Sequence, residues 1–395
     1  MSKTALSLSQ EVQKLKDSLV SLRRDFHRHP ELGFKEQRTA GIVAERLQAA
    51  GIEVRTGVGR TGVVGVLRGD KPGRVAAWRA DMDALPLTEK LNLPFASATP
   101  GVMHACGHDG HVAIAITIAE ILAKHRKELP GTVVFLFQPA EEVLGGASGM
   151  IKEGALENPH VETVLGLHLT TQFPLGWVGV RPGPMFAGAD FFDIEVLGKG
   201  GHGAFPHLSI DPITAAAHIL IGMQELVSRE IPAQETAVMT VGQMESGTKH
   251  NIIPEVAWLR GTIRTFNADI RNQLVERLSA FATRMASAYR AEARVHMGAE
   301  NCPAVVNDQR WAHCVHDAAV EEVGAEHVTE GEKIMGSDDM SLFLNERPGC
   351  YFFVGLAPKD KPAMPHHHPG FEIDDSGLDV GVRVGLRSLL VALQA

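Results

Sequence analysis

The chain has 395 residues, 44% of them hydrophobic and 22% charged, and its formal net charge is −9 at pH 7. This length predicts two domains, and the composition is that of a globular protein rather than a disordered one. The acidic balance without a basic run argues against a nucleic-acid-binding surface, and no apolar stretch is long enough to cross a bilayer.

The first part of the sequence alternates between helical and extended patterns. A strongly apolar helix is predicted over residues 112–125, with Asp109 placed to cap it. Two further helices are predicted over residues 10–27 and 36–50. Short β-rich segments predict strands at 53–56, 63–67, 75–79, 132–137 and 164–167. This alternation predicts an α/β layer fold with a largely parallel central sheet.

From about residue 187 the pattern changes. It predicts, in chain order, strand 191–196, helix 212–228, strands 237–243 and 255–264, helix 270–291 and strand 292–297. This β-α-β-β-α-β order is that of a ferredoxin-like α+β sandwich. We therefore predict a catalytic domain of residues 1–186 and 300–395, interrupted by an inserted domain of residues 187–299. A helix over residues 376–393 closes the predicted catalytic domain.

One glycine-rich segment resembles a nucleotide-binding loop without being one. Gly57-Val-Gly-Arg-Thr-Gly62 has the glycine spacing of dinucleotide-binding loops. That motif requires a helix after the glycines, whereas residues 63–67 predict a strand. We therefore expect a hairpin turn at this position.

Polar side chains follow three of the predicted strands. Asp81 and Asp83 come after one strand, Glu141 and Glu142 after another, and His168 after a third. Because catalytic groups in open α/β sheets collect at the carboxyl ends of strands, we expect these side chains at one edge. Adjacent carboxylates project in opposite directions, so one of the glutamates can bind a metal while the other faces a substrate.

Two further segments contain candidate metal ligands. Cys106 and His108 lie in a loop that opens onto a helix, where the local field lowers the pKa of a thiol. Thiolate and imidazole are ligands that transition metals prefer. His104 and His111 compete with His108 for this role. A second loop contains histidines at positions 366–368, and the sequence pattern leaves open which of them is a ligand.

Together these motifs resemble the metallopeptidase family of aminoacylases, carboxypeptidase G-like enzymes, hippurate hydrolases and plant auxin-conjugate amidohydrolases. The amidohydrolase branch is the most similar, from Arg24-Asp-Phe-His-Arg-His-Pro-Glu-Leu-Gly-Phe34 to Asp338-Asp339 and the final His-His-Pro. The resemblance implies a zinc-peptidase-like catalytic domain and an inserted lid and dimerisation domain. It also implies a homodimer or tetramer that hydrolyses the amide bond of a small N-acyl amino acid of the hippurate or N-acetyl type.

The resemblance assigns roles to matching positions. The metal ligands that it implies are Cys106, His108, Glu142, His168 and His367. Glu141 would be the general base, Asp83 would support the metal site, and His202 would reach the active site of the partner subunit. Asn251 and Arg264 match positions associated with the substrate carbonyl and carboxylate.

The resemblance also bears on three further positions and on the cofactor. His367 is chosen because the family places its ligand two residues before a proline, here Pro369. Asp81 stands where other branches carry a metal-binding histidine, and Asp338 is shorter than the glutamate that is frequent at its position. The implied cofactor is two divalent cations per subunit, zinc or manganese, with cobalt and nickel also compatible.

Location and partners complete the prediction. Four scattered cysteines lack a spacing typical of disulfides, and residues 1–10 lack the apolar segment of a secretory signal. We therefore expect a cytoplasmic protein that binds a small substrate and neither nucleic acid nor membrane.

Three alternatives compete with this interpretation. The same groups could serve a di-metal dipeptidase or carboxypeptidase acting on a peptide bond. A metal-binding or sensory protein without catalysis is a second possibility, although such a site needs no second carboxylate beside Glu142. A third is a Cys106 nucleophile, which is weaker because the histidines are better explained as ligands.

Overall fold

The computed structural model describes residues 3–299 and 301–394. Its described residues form two compact units. The first unit comprises the chain up to Met185, Val306–Glu332 and the chain from Asp338 onward. The second unit comprises Phe186–Val305 and Lys333–Ser337. Among the described residues, no helix combines the length and apolarity needed to span a bilayer.

Ten helices and sixteen strands are described, besides three short 3-10 turns. The helices are α1 (Lys3–Arg28), α2 (Gln37–Ala49), α3 (His108–Lys124), α4 (Gly146–Lys152), α5 (Pro212–Gly222), α6 (Gln224–Glu230), α7 (Ala268–Ala288), α8 (Gln309–Val323), α9 (Met340–Glu346) and α10 (Leu378–Gln394). The strands are β1 (Glu53–Val58), β2 (Gly62–Arg68), β3 (Lys71–Asp81), β4 (Pro130–Gln138), β5 (Thr163–Thr170), β6 (Val178–Gly179), β7 (Gly183–Phe186), β8 (Gly188–Leu197), β9 (Gly201–His202), β10 (Ala237–Ser246), β11 (Ile252–Ile253), β12 (Val256–Thr265), β13 (Glu292–Met297), β14 (Val305–Asn307), β15 (Val328–Thr329) and β16 (Gly349–Gly355).

The first unit is built on an eight-stranded sheet with the order β1-β2-β4-β3-β5-β16-β6-β15. Its four central strands, β4, β3, β5 and β16, run parallel, with Asp81 opposite Gln138 and His168 opposite Phe353. β1 and β2 pair antiparallel at one edge, which confirms the hairpin at the glycine-rich segment. The predicted fold class, α/β with a largely parallel central sheet, is therefore confirmed.

Helices α3 and α10 pack closely in the core of the first unit. Nearly every residue of α3 is buried, so this helix is apolar on all faces, as expected for a fully enclosed element. A Cβ added at Gly381 would lie 2.8 Å from Ile114 Cδ1, and one added at Gly385 would lie 2.7 Å from Ile118 Cδ1. Glycine at these two positions is therefore what lets α10 approach α3.

The second unit is a small α+β sandwich. Its sheet is antiparallel with the order β10-β12-β8-β13, and α5, α6 and α7 pack against it. Apolar side chains of β8, such as Ile194 and Val196, share a buried core with Leu274 and Leu278 of α7. The order and pairing of these strands are those of the ferredoxin-like fold predicted from the sequence.

Three local predictions are wrong. Asp109 does not cap α3, because the helix begins at His108 after Gly107, whose φ is 91°, and the Asp109 side chain lies inside the first turn. His168 does not follow its strand, because β5 continues to Thr170 and contains it. The helix predicted over 212–228 is divided at Met223 into α5 and α6.

Candidate metal centre and active site

Three neighbouring parallel strands bring polar side chains to one edge of the main sheet. β3 ends at Asp81, β4 ends at Gln138 opposite it, and β5 contributes His168 close to its end. The turn after β4 carries Glu141 and Glu142. Because the strands are parallel, their carboxyl ends lie on the same side, where α/β proteins place ligands.

Asp83 holds the turn that carries the two glutamates. Its two carboxylate oxygens accept hydrogen bonds from the backbone N–H groups of Glu141 and Glu142, each at 3.0 Å. Its backbone carbonyl accepts a 2.9 Å hydrogen bond from His108 Nδ1. Asp83 therefore fixes three candidate site residues at once, although its own side chain points at the backbone.

Five side chains converge to form a group that we name the donor cluster. Its members are Cys106, His108, Glu142, His168 and His367. Donor atoms of Cys106, His108 and His168 lie within 4.8 Å of one another, and so do those of Cys106, Glu142 and His367. Cys106 Sγ is 3.6 Å from His168 Nε2, and His367 Nε2 is 3.3 Å from a Glu142 carboxylate oxygen.

The hydrogen bonds of residues 366–368 distinguish the three histidines. His366 Nε2 donates to the Leu169 carbonyl at 3.0 Å, and His368 Nδ1 accepts from the Gly370 N–H at 3.0 Å. Of the three, His367 reaches the donor cluster, with its backbone in the left-handed region at φ 61°. Its side chain is 55% exposed, whereas His108 is buried, so the cluster opens to solvent on the His367 side.

The donor cluster suits a transition metal by its chemistry and its hydrogen bonds. One sulfur, three imidazoles and a carboxylate form a donor set of the kind that zinc and its neighbours bind. His108 and His168 each donate Nδ1–H to a backbone carbonyl, at 2.9 and 2.8 Å, so each ring would bind a metal through Nε2. His108 Nε2 is buried and has no hydrogen-bond partner in the described chain.

In the absence of a metal ion, the negative groups of the donor cluster favour the protonated, positively charged forms of two of its histidines. Burial opposes the effect, but the negative charge of Asp81 and the hydrogen bond to Asp83 raise the pKa of His108 well above its usual range. Contacts with Cys106 and Glu142 raise the pKa of His367 to about 10. Burial and the nearby Glu142 raise the pKa of the Cys106 thiol. The cluster therefore has the electrostatic character of a cation site.

Beside the donor cluster lies a second charged group, the Arg79 cluster, made of Arg79, Asp81, Asp338 and Asp339. The guanidinium is 1% exposed and lies 2.7 Å from Asp81, 3.1 Å from Asp338 and 3.0 Å from Asp339. The Asp339 carboxylate also accepts from Gln138 Nε2 at 2.6 Å. The two aspartates at 338 and 339 thus contact an arginine inside the protein.

Glu141 lies between the two clusters. Its carboxylate groups with His108 and Glu142 on one side and with Asp338 and Asp339 on the other, each set within 4.8 Å. Burial and the negative charges of these three carboxylates raise the pKa of Glu141 well above its usual range. A buried carboxylate beside a donor cluster, with a raised pKa, has the properties of a general base that can hold a proton.

His111 lies beside His108, for whose role the sequence also offered it as a candidate. Its Nδ1 contacts an Asp81 oxygen at 2.5 Å, and its Nε2 accepts the Leu169 N–H at 2.9 Å. Both ring nitrogens are therefore engaged, and His111 orients Asp81 instead of offering a lone pair. The three-residue spacing from His108, nearly one helical turn, is the signal that it lies on the same face.

The other predicted site residues lie in the second unit. His202 and Ile252 pair where β9 meets β11, and the Gly203 N–H donates to the Asn251 carbonyl at 2.9 Å. His202 and Asn251 are therefore neighbours on an exposed surface of this unit. Arg264, on β12, is partly buried and donates to Ser337 Oγ at 2.9 Å.

A parallel-centred α/β sheet with this donor set at its edge defines a metal-dependent hydrolase. The chain belongs to peptidase family M20/M25/M40, whose model matches residues 77–390. It is a hydrolase that acts on amide bonds.

Curated relatives match almost the whole chain. It is 38% identical to thermostable carboxypeptidase 1 of Saccharolobus solfataricus over 95% of both chains. It is 40% identical to IAA-amino acid hydrolase ILR1-like 4 of Arabidopsis thaliana, over 92% of this chain and 83% of the relative. It is 38% identical to N-acetylcysteine deacetylase of Bacillus subtilis, over 95% of this chain and 97% of the relative.

A solved structure matches with comparable coverage. The YXEP protein of Bacillus subtilis, described as a dinuclear metal binding peptidase of the M20 family, superposes with a TM-score of 0.83. The match has 34% sequence identity and covers 96% of this chain and 98% of that one. The fold is therefore that of a known amide-hydrolysing family.

Proposed function

We propose that this protein cleaves N-acyl amino acids, of the hippurate or N-acetyl type, into a carboxylic acid and a free amino acid. The observation that carries the proposal is the position of Glu141. Its carboxylate lies within 4.8 Å of His108 and Glu142, yet the five-member donor cluster is complete without it. A site that only stored a metal would need no such second carboxylate.

The names of two relatives support the substrate class. One is called an IAA-amino acid hydrolase and another an N-acetylcysteine deacetylase, and both names describe amides of an amino acid nitrogen. A carboxypeptidase is also among the relatives, so peptide hydrolysis is the alternative that the experiment must separate.

We assign the metal ligands to the donor cluster and the metals to two divalent cations, zinc or manganese, with cobalt or nickel also compatible. The dinuclear neighbour supports this assignment. Cations held there would supply the chemistry of paired-metal hydrolases, in which water becomes acidic and the amide carbonyl is polarised. Elemental analysis of the purified protein counts and identifies them.

Glu141 acts as the proton carrier in this proposal. Its carboxylate accepts a proton from the attacking water and later delivers it to the leaving nitrogen. A raised pKa suits a group that must hold that proton between the two steps. Asp83 supports it by fixing the backbone N–H groups of Glu141 and Glu142.

Residues of the second unit are assigned from the resemblance. His202 donates a hydrogen bond to the carbonyl oxygen as it gains negative charge, a contribution of a few kcal/mol in comparable sites. Asn251 contacts the same carbonyl, and Arg264 binds the free carboxylate of the amino acid through its planar fork. Replacing Arg264 by Lys should raise KM far more than it lowers kcat.

Location and assembly are also proposed. The four cysteines are free, which fits a reducing cytoplasm. We propose a homodimer, or a tetramer built from it, with the second unit serving as lid and dimerisation surface. Light scattering on the purified protein measures the assembly.

The decisive experiment is a substrate panel on metal-loaded protein. N-acetyl, N-benzoyl and indole-acetyl amino acids are compared with Gly-Gly dipeptides, and free amino acid is measured. Cleavage of the acyl amino acids supports the proposal. Cleavage of dipeptides alone identifies a dipeptidase, and hydrolysis that resists chelators but is blocked by alkylation identifies Cys106 as a nucleophile.

A further inference from the structure

The turn after β4 has a strained backbone. Ala140 and Leu144 have φ values of 52° and 53°, in the left-handed region of backbone conformation that residues other than glycine rarely adopt. This turn carries Glu141 and Glu142, so its conformation decides where both carboxylates lie. Such a conformation persists only when surrounding groups hold it in place.

Carboxylates hold three consecutive N–H groups of this turn. Asp83 accepts from Glu141 and Glu142, as described above, and Glu36 Oε1 accepts from the Ala140 N–H at 2.8 Å. Charged acceptors make shorter and stronger hydrogen bonds than neutral ones. Two carboxylates, those of Asp83 and Glu36, therefore hold the backbone of this turn.

Glu36 is itself held in place. It is 0% exposed, and its other oxygen, Oε2, accepts the Thr61 hydroxyl at 2.5 Å. Thr61 lies in the segment that links β1 to β2, so the carboxylate joins that hairpin to the turn after β4. Both oxygens of Glu36 are thus committed to positions in the fold.

The residues before Glu36 contact the same turn. A Cβ added at Gly33 would lie 3.1 Å from Ala140 Cα, so the two backbones pack closely there. A Cβ added at Gly145 would lie 3.0 Å from the Phe34 ring, which covers the far end of the turn. Residues 33–36 therefore contact the turn at its start and at its end.

We propose that Glu36 is a positioning residue for the site, which acts through the Ala140 N–H to place Glu141 and Glu142 at the donor cluster. This inference rests on the proposed roles of those two glutamates. It gives the Gly-Phe-Lys-Glu segment at 33–36 a function, and we name this segment the brace of the glutamate turn.

Four variants test the brace. Glu36→Ala removes the acceptor. Glu36→Gln keeps a side-chain oxygen that can accept the Ala140 N–H, and its NH2 group can donate a hydrogen bond to the Thr61 hydroxyl oxygen. Gly33→Ala places a methyl group against Ala140 and leaves every charge in place. Glu31→Ala is the matched control, because its carboxylate also accepts two backbone N–H groups, those of Arg38 and Thr39, but not the turn.

Three measurements follow each variant. Zinc affinity is measured by competition with a chromophoric chelator, backbone hydrogen exchange is measured on peptides covering residues 139–146, and kcat and KM are measured separately. Glu36→Ala should weaken zinc binding and lower kcat by about 10- to 100-fold, the range seen when groups behind metal ligands are removed. The turn should exchange faster, and KM should change little.

The controls should separate positioning from general damage. Glu36→Gln should restore zinc affinity and kcat to near the native values, and Glu31→Ala should lower the melting temperature without changing zinc affinity or exchange of the turn. If Glu36→Ala does not fold, Gly33→Ala should give the same pattern in milder form.

Two results would overturn the proposal. One is native zinc affinity and native exchange of the turn in Glu36→Ala, or in Gly33→Ala if the first variant is insoluble. The other is equal damage by Glu31→Ala. Because exchange and zinc binding are measured without substrate, they decide the brace even if native protein leaves every N-acyl amino acid uncleaved, an outcome that would remove only the proposed function.

Discussion

The two charged clusters at the edge of the main sheet differ in what balances their charge. The Arg79 cluster contains its own cation, a guanidinium that contacts all three aspartates. The donor cluster contains sulfur, imidazole and carboxylate, with no lysine or arginine among its members. Grouped acidic side chains at a sheet edge are therefore insufficient to identify a metal site. An internal arginine distinguishes the Arg79 cluster, whereas a mixed set of sulfur, imidazole and carboxylate donors distinguishes the proposed metal site.

Glu141 lies on the boundary between the clusters and should give the largest effect. Replacing it by Gln removes the proton carrier but no member of the donor cluster, so kcat should fall by about 10²- to 10⁴-fold. Metal content by elemental analysis should stay at the native value. Undiminished turnover would remove Glu141 from the mechanism, and loss of metal would move it into the donor cluster.

Replacing Arg79 by Met tests the internal cation. The change removes the cation that three buried carboxylates contact, and breaking a buried ion pair in this way costs about 3–5 kcal/mol. The free energy of unfolding in urea should fall by that amount, at any concentration of divalent metal. Replacing Asp339 by Asn in the same chain should recover part of the loss. Native stability of Arg79→Met would contradict the assignment of this cluster as structural.

Metal removal tests the donor cluster in the complementary way. A ligand at one hundred times its dissociation constant stabilises the folded state by about 2.7 kcal/mol, so chelation should lower the melting temperature by several degrees. The native protein should recover on addition of zinc or manganese. Cys106→Ala should show a smaller response to both treatments. If chelator does not change the melting temperature of the native protein, the donor cluster holds no cation.

Replacing Glu36 by Gln, which can keep both hydrogen bonds of the side chain, should give the smallest effect. Burial, with a contribution from the charge of Asp83, raises the pKa of Glu36 above its ordinary value of 4.5. Ionised Glu36 therefore reduces stability at neutral pH, and this penalty disappears as the pH falls below 4.5. Glu36→Gln should be slightly more stable than native protein at pH 7, with the difference shrinking toward pH 4. If the stability advantage of Glu36→Gln over native protein grew as the pH fell, the inferred penalty from ionised Glu36 would be contradicted.

Strands β1 to β5 of the first unit were predictable because their patterns of apolar residues are local and strong. β4 is a continuous apolar segment, and the carboxylates after it follow from the rule for parallel sheets. His367 could not be separated from its neighbours by pattern, since its selection depends on the hydrogen bonds of His366 and His368.

Other contacts in the site could not be predicted from local sequence patterns. Arg79 is one residue in an apolar strand, and its contacts with Asp338 and Asp339 join positions about 260 residues apart. Asp109 has the identity of a helix cap, yet buried partners compete for its carboxylate: Arg23 lies at 2.8 Å and His27 at 2.7 Å. Long-range electrostatics overrode local propensity at both positions.

The placement of β16 has a consequence for biosynthesis. This strand lies between β5 and β6 in the sheet, and Thr163 Oγ1 donates to the Pro348 carbonyl, 185 residues further along the chain. Until residues 349–355 emerge from the ribosome, β5 presents an unpaired edge to solvent or to other nascent chains. Maturation should therefore be slow and post-translational, and a chain truncated before β16 should aggregate rather than fold into a partial enzyme.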